Sequence, residues 1–73
     1  MNDLKVLYYE VGYERTNILG SGSDINICGS FKNFEEAFDE CRKWNYNYLK
    51  RHIKEQVKYR TQVYNFITKE WEL

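Results

Sequence analysis

Alternating side chains open the chain. Leu7, Tyr9, Val11 and Tyr13 fall on one side of an extended segment while Glu10, Gly12 and Glu14 fall on the other, a two-residue period that predicts a strand over 4–14. Its first half is apolar on both sides, because Leu4, Val6 and Tyr8 occupy the opposite face, which places that end in the middle of a sheet. The run Leu19-Gly20-Ser21-Gly22-Ser23-Asp24 reads as a turn, and 24–31 as a second strand with Ile25 and Ile27 inward, paired with the first as an antiparallel hairpin. A period of 3.6 then takes over. Asn33 followed by Glu36 has the form of a helix N-cap with its capping box, and Glu35, Glu36, Asp39 and Glu40 suit the positive end of a helix dipole. Phe34, Ala37, Phe38, Cys41, Asn45, Tyr48, Leu49 and His52 share one helical stripe with Trp44 on its flank, so the helix is expected to run to about residue 55, with Glu36, Lys43, Asn47, Lys50 and Lys54 on its back. Polar residues 56–60 connect to a third strand over 61–65. Asn65 can start a turn that returns 70–73 as a short fourth strand, the alternative being one strand from 61 to 72.

The expected fold is therefore α+β: an antiparallel sheet of three to four strands with one long amphipathic helix packed on one face, in the order β-β-α-β-β. Seventy-three residues leave room for one domain, 1–73, with a small core. No apolar run approaches a membrane span and the first residues do not read as a signal peptide, so no membrane partner is expected. Two cysteines, Cys28 and Cys41, are too few for a secreted disulfide scaffold, and a cytoplasmic location follows as the expectation.

Composition adds a surplus. Seven Tyr, four Phe and two Trp stand beside a single Ala and no Pro. Each ring can bury about 150–250 Å², and one helix on a few strands cannot cover them all. Tyr13, Tyr46, Tyr59, Tyr64 and Trp71 are the rings expected to form a partner-binding surface. Charge is uneven along the chain: residues 1–40 carry eight acids and three bases, and residues 41–73 eight bases and three acids, for a net charge of zero.

Catalytic chemistry has little to work with. His52 is the only histidine, and on a straight helix it would stand about 16 Å from Cys41. No zinc set of four ligands can be assembled from Cys28, Cys41 and His52. The glycine-rich turn lacks the Gly-Lys-Ser/Thr of a phosphate loop, and a strand follows it where a dinucleotide fingerprint needs a helix. The four carboxylates 35, 36, 39 and 40 spread over an outer helix face as ordinary solvated acids. The expectation is a protein without enzymatic activity and without a cofactor.

Two binding readings remain. The leading one is a protein-binding module, its partner another protein or a second copy of itself, acting through its aromatic surface or an open sheet edge. The alternative is nucleic-acid binding by the basic segment 42–60, namely Arg42, Lys43, Lys50, Arg51, Lys54, Lys58 and Arg60, interleaved with Trp44, Tyr46, Tyr48 and Tyr59. Abundant Asn, Lys, Ile and Tyr with almost no Ala or Pro suit an AT-rich genome, such as that of a phage or low-GC bacterium, and an accessory or inhibitor protein. The passage from Gly29 through Lys32-Asn33-Phe34-Glu35-Glu36-Ala37 resembles the strand-to-helix junction of HicB-type antitoxins, which often read Gly, Thr, Glu-Glu-Ala there. The resemblance covers that junction and implies only a strand leading into a capped helix.

Overall fold

The computed structural model describes residues 4–16, 20 and 22–72. Five strands and one helix follow in the order β1 (Leu4–Thr16), β2 (Ser23–Phe31), α1 (Phe34–Trp44), β3 (Tyr48–Glu55), β4 (Lys58–Asn65) and β5 (Glu70–Glu72). All five strands join one antiparallel sheet in the spatial order β2-β1-β3-β4-β5. The α+β class with a helix on one face is present, with five strands in place of three or four and with a much shorter helix. Of the expected turn over 19–24, Leu19 and Ser21 lie outside the described residues, as does Leu73 of the last strand.

The helix begins where its cap predicts. The Asn33 side chain accepts a hydrogen bond from the Glu36 backbone N–H at 2.8 Å and donates one to the Glu36 carboxylate at 2.7 Å, which satisfies an orphan donor of the first turn. Its end is the main departure from expectation. Asn45 adopts the left-handed conformation, φ 58° and ψ 40°, and the Tyr46 N–H closes on the Cys41 carbonyl at 2.9 Å. That is a helix stop, because a residue with positive φ turns the chain off the helical path. Tyr48, Leu49 and His52, expected on the buried helical stripe, instead belong to β3. The spacing of Tyr48, Leu49 and His52 fits a helix, but Leu49 and Ile53 also lie on one side of a strand, and Ile53 falls off the helical stripe. Tertiary pairing of 48–55 with β1 on one side and β4 on the other decides between the two periods.

Two bulges set which residues meet the helix. Leu7 has no opposite number on β3, since Val6 faces Ile53 and Tyr8 faces His52. A bulge reverses the alternation. Val6 therefore joins Tyr9 and Val11 against the core, and Leu7 does not hold the inward position its spacing suggests. Buried Tyr9, Val11, Ala37, Cys41 and Leu49 form the centre of that core, ringed by Phe34, Phe38, Tyr64, Phe66 and Trp71. The second bulge lies in β2, where Val11 faces Gly29 and Gly12 faces Ile27, leaving Cys28 unopposed. Ile25 and Ile27, expected inward, are 47% and 45% exposed. They stand opposite Glu14 and Gly12, on the face that α1 does not cover.

The last two strands form a hairpin, not one long strand. Asn65 starts the turn by accepting from the N–H groups of Ile67 and Thr68 at 2.9 and 3.1 Å, while the Lys69 N–H bonds the Asn65 carbonyl at 2.7 Å. The segment expected as a connection, 56–60, is mostly strand, and β4 begins at Lys58.

Candidate partner-binding surface

The sheet brings the five aromatic candidates to three separate places. Tyr13, exposed at the far end of β1, stacks against half-buried Tyr46 with ring centroids 6.4 Å apart. Tyr64 and Trp71, paired across β4 and β5 at 5.0 Å, are half-buried and belong to the ring cluster beside the helix, where Trp71 also lies 6.0 Å from both Tyr9 and Phe34. Tyr59 stands alone at the start of β4, 70% exposed, with the Lys54 ammonium 5.4 Å from its ring. Tyr13 and Tyr59 are thus open to solvent and lie on opposite parts of the sheet, and Tyr64 and Trp71 serve the core.

The basic residues of 42–60 divide in the same way. Arg42 and Lys43 occupy the last turn of α1, where they complement the helix dipole. Lys50 and Lys54 project from the uncovered face of β3. Arg51 points to the helix side, its guanidinium 4.4 Å over the Trp71 ring and its Nε 2.8 Å from the Gln62 side-chain oxygen, and burial lowers its proton affinity from the ordinary value. Arg60 pairs with Glu55 at 3.3 Å, and Lys58 opens β4. They do not line one groove.

His52, expected near a helix end, sits in the middle of β3 on the uncovered face. Its Nε2 is 2.6 Å from the Glu10 carboxylate, and its ring stacks on Tyr8 at 4.2 Å. Leu7, Tyr8, His52, Tyr59, Arg60 and Thr61 border an open depression of about 590 Å³ there. Nearby Tyr48 is buried, and burial followed by the charges of Glu10 and Glu14 raises its phenol above the ordinary value. Among the described residues no group of three or more His, Cys, Asp or Glu side chains is placed to hold a metal ion, and no helix is long and apolar enough to cross a membrane.

The two edges of the sheet differ sharply. β5 ends one side with three residues, two of them Glu70 and Glu72, and it covers only Val63–Asn65 of β4, so that Lys58 and Arg60 mark the rest of this edge. Short, charged edges resist further pairing. β2 ends the other side with nine residues, Ser23 to Phe31, of which only Asp24 is charged, and among the described residues it pairs with β1 alone. Its outer row of N–H and C=O groups is available to another strand, beside the exposed Ile25 and Ile27. Local sequence could reveal the sparse charge of this segment, whereas its edge position depends on where β3 inserts.

β2 is held firmly on its inner side. Ser23 Oγ donates to the Glu14 carboxylate at 2.7 Å, and from the other side of β1 the Asn47 side chain bonds both the N–H and the C=O of Glu14, at 2.7 and 3.1 Å, extending the β1–β3 ladder beyond the first residue of β3. An edge anchored this way offers a preformed template. In comparisons with known proteins, the chain matches no family model, no curated protein and no solved structure.

Proposed function

We propose that this chain is a small protein-binding module without catalytic activity, which takes a strand of its partner onto the open edge of β2. The observation that carries the reading is the contrast between the edges: nine nearly uncharged residues on one side against an edge charged by Lys58, Arg60, Glu70 and Glu72 on the other. Strand addition draws affinity from main-chain hydrogen bonds and selectivity from side chains flanking the added strand, and Ile25 and Ile27 of β2 flank this one. The free thiols Cys28 and Cys41 suit a reducing, cytoplasmic setting, and the composition suits a phage or low-GC bacterial accessory protein. The test is capture of partners, a tagged second copy of the chain among them, from candidate host extracts by the wild-type chain, Ile27→Lys and Lys43→Ala. Ile27→Lys is expected to lose the captured protein and Lys43→Ala to keep it. Capture that is indifferent to Ile27→Lys overturns the reading.

A second reading, nucleic-acid binding, has one observation in its favour: Tyr8, His52 and Tyr59 with Lys54 and Arg60 around the depression on the uncovered face, where rings could stack on bases and cations meet phosphates. Its test is binding of a short single strand by wild type and Lys50→Glu/Lys54→Glu. These are the suitable sites, because Arg51 is engaged with Trp71 in the ring cluster. Binding that falls steeply between about 50 and 200 mM salt and disappears in the variant supports it; no binding at low salt removes it.

A further inference from the structure

We infer that the strand added at β2 is that of a second copy of this chain, antiparallel about a two-fold axis through Asn26. The inference rests on the strand-addition reading and names its occupant.

Register carries the argument. Directly opposed residues of an antiparallel pair lie on one face of the sheet, and a slip of one residue sends every side chain to the wrong face. With the axis at Asn26, Ile25 meets Ile27 of the second copy and Ile27 meets its Ile25. All four isoleucines then line the uncovered face across the join, since Ile25 and Ile27 already share that face opposite Glu14 and Gly12. Cross-strand pairs of branched side chains are among the favourable ones. Neighbouring registers are poorer. An axis at Ile27 sets Ile25 against Gly29, which has no side chain and which the bulge has moved to the face of Val11 and the helix. An axis at Ile25 leaves Ile27 against Ser23. The Asn26 register centres the join on the regular part of the strand, and the bulge residue Cys28 falls toward each end of it, opposite Asp24 of the other copy.

Charge permits the pairing. Asp24, the one charged residue of β2, falls opposite Cys28 of the second copy, so no like charges are brought together. The chain as a whole has a formal net charge of zero and resists self-association little. Both helices lie on the same side of the joined sheet, away from the isoleucine row.

Sedimentation velocity of the full chain over a wide concentration range is the direct test, with circular dichroism to establish that each variant is folded. The expected result is a reversible dimer whose association is weakened at least tenfold by Ile27→Lys and is unchanged by Lys43→Ala. Register is read separately in a Cys28→Ser background. Asn26→Cys places two thiols directly opposite each other, at the separation of about 4.5–5.5 Å typical of such pairs, and a short bis-maleimide should join them. Ser23→Cys in the same background should give little product. A chain that stays monomeric at every concentration, or a dimer in which Asn26→Cys does not cross-link, overturns the inference. A monomer that captures another protein and loses it on Ile27→Lys overturns the dimer and leaves strand addition standing. A monomer whose capture ignores Ile27→Lys overturns both.

Discussion

A Cβ atom placed on Gly12 would lie 1.8 Å from the carbonyl oxygen of Asn26. The two backbones approach this closely at the β2 bulge, and no side-chain movement can relieve a clash with main chain. Gly12→Ala should therefore destabilise the protein by about 1–3 kcal/mol or more, the usual range for forced expansion of a packed site. Gly29→Ala is the control: its nearest neighbour is the Phe31 ring at 3.5 Å, an ordinary contact. Urea midpoints of the two variants check the difference, and equal midpoints would show that β1 and β2 are not so close.

The end of the helix at Asn45 can be tested through its left-handed backbone, φ 58°. Asn45→Ala should cost roughly 1 kcal/mol, because a Cβ without a compensating polar side chain disfavours that conformation, whereas Asn45→Gly should be neutral or stabilising. For a domain of this size the alanine variant should melt about 4–8 °C lower. If the helix continued through 45 the order would invert, alanine being the better helix former.

The helix start, the first two strands and the closing hairpin were legible because each rests on local chemistry: Asn33 with Glu36, alternation in 9–13, and the Asn65 turn. Residues 48–55 were not. There a stripe at helical spacing overlaps strand alternation, and the choice depends on two neighbouring strands that local spacing does not reveal. The same holds for Ile25 and Ile27. Alternation puts them on one face but does not say which face α1 covers. The aromatic surplus was legible; its division between core and surface was not, since Tyr64 and Trp71 turn inward only because β5 folds back beside the helix.

Trp71 links β5 to Tyr9, Phe34 and Tyr64, with Arg51 over its ring. Trp71→Ala should cost about 3 kcal/mol, the lower end for loss of a large aromatic because the ring is only partly buried. It should also raise amide exchange in β4 and β5 more than in β1. Uniform exchange across the sheet would show that the hairpin does not depend on this ring.

The two thiols should react differently. Burial, with a smaller contribution from Glu40, raises Cys41 to about 11, while Cys28 is exposed. Iodoacetamide should label Cys28 in the native protein and reach Cys41 only on unfolding. The sign of the pH effect follows. At neutral pH both folded and unfolded chains hold the Cys41 proton; between 9.0 and about 11 the unfolded chain releases it first, so stability falls as pH rises through that window. Cys41→Ser should lose this alkaline slope.

A sheet that can be extended at one side only has a limit to its growth. Once two β2 strands meet, the remaining ends are both β4–β5 edges, where β5 is three residues with Glu70 and Glu72 and the stretch of β4 it leaves uncovered, Lys58–Gln62, carries Lys58 and Arg60, and short, charged edges of this kind resist a third chain. A two-fold join of this kind closes on itself, whereas head-to-tail addition would run on as a filament. The charged β4–β5 edge is thus the stop that makes an unguarded β2 tolerable: pairing should end at two copies, without fibres, even in concentrated solution.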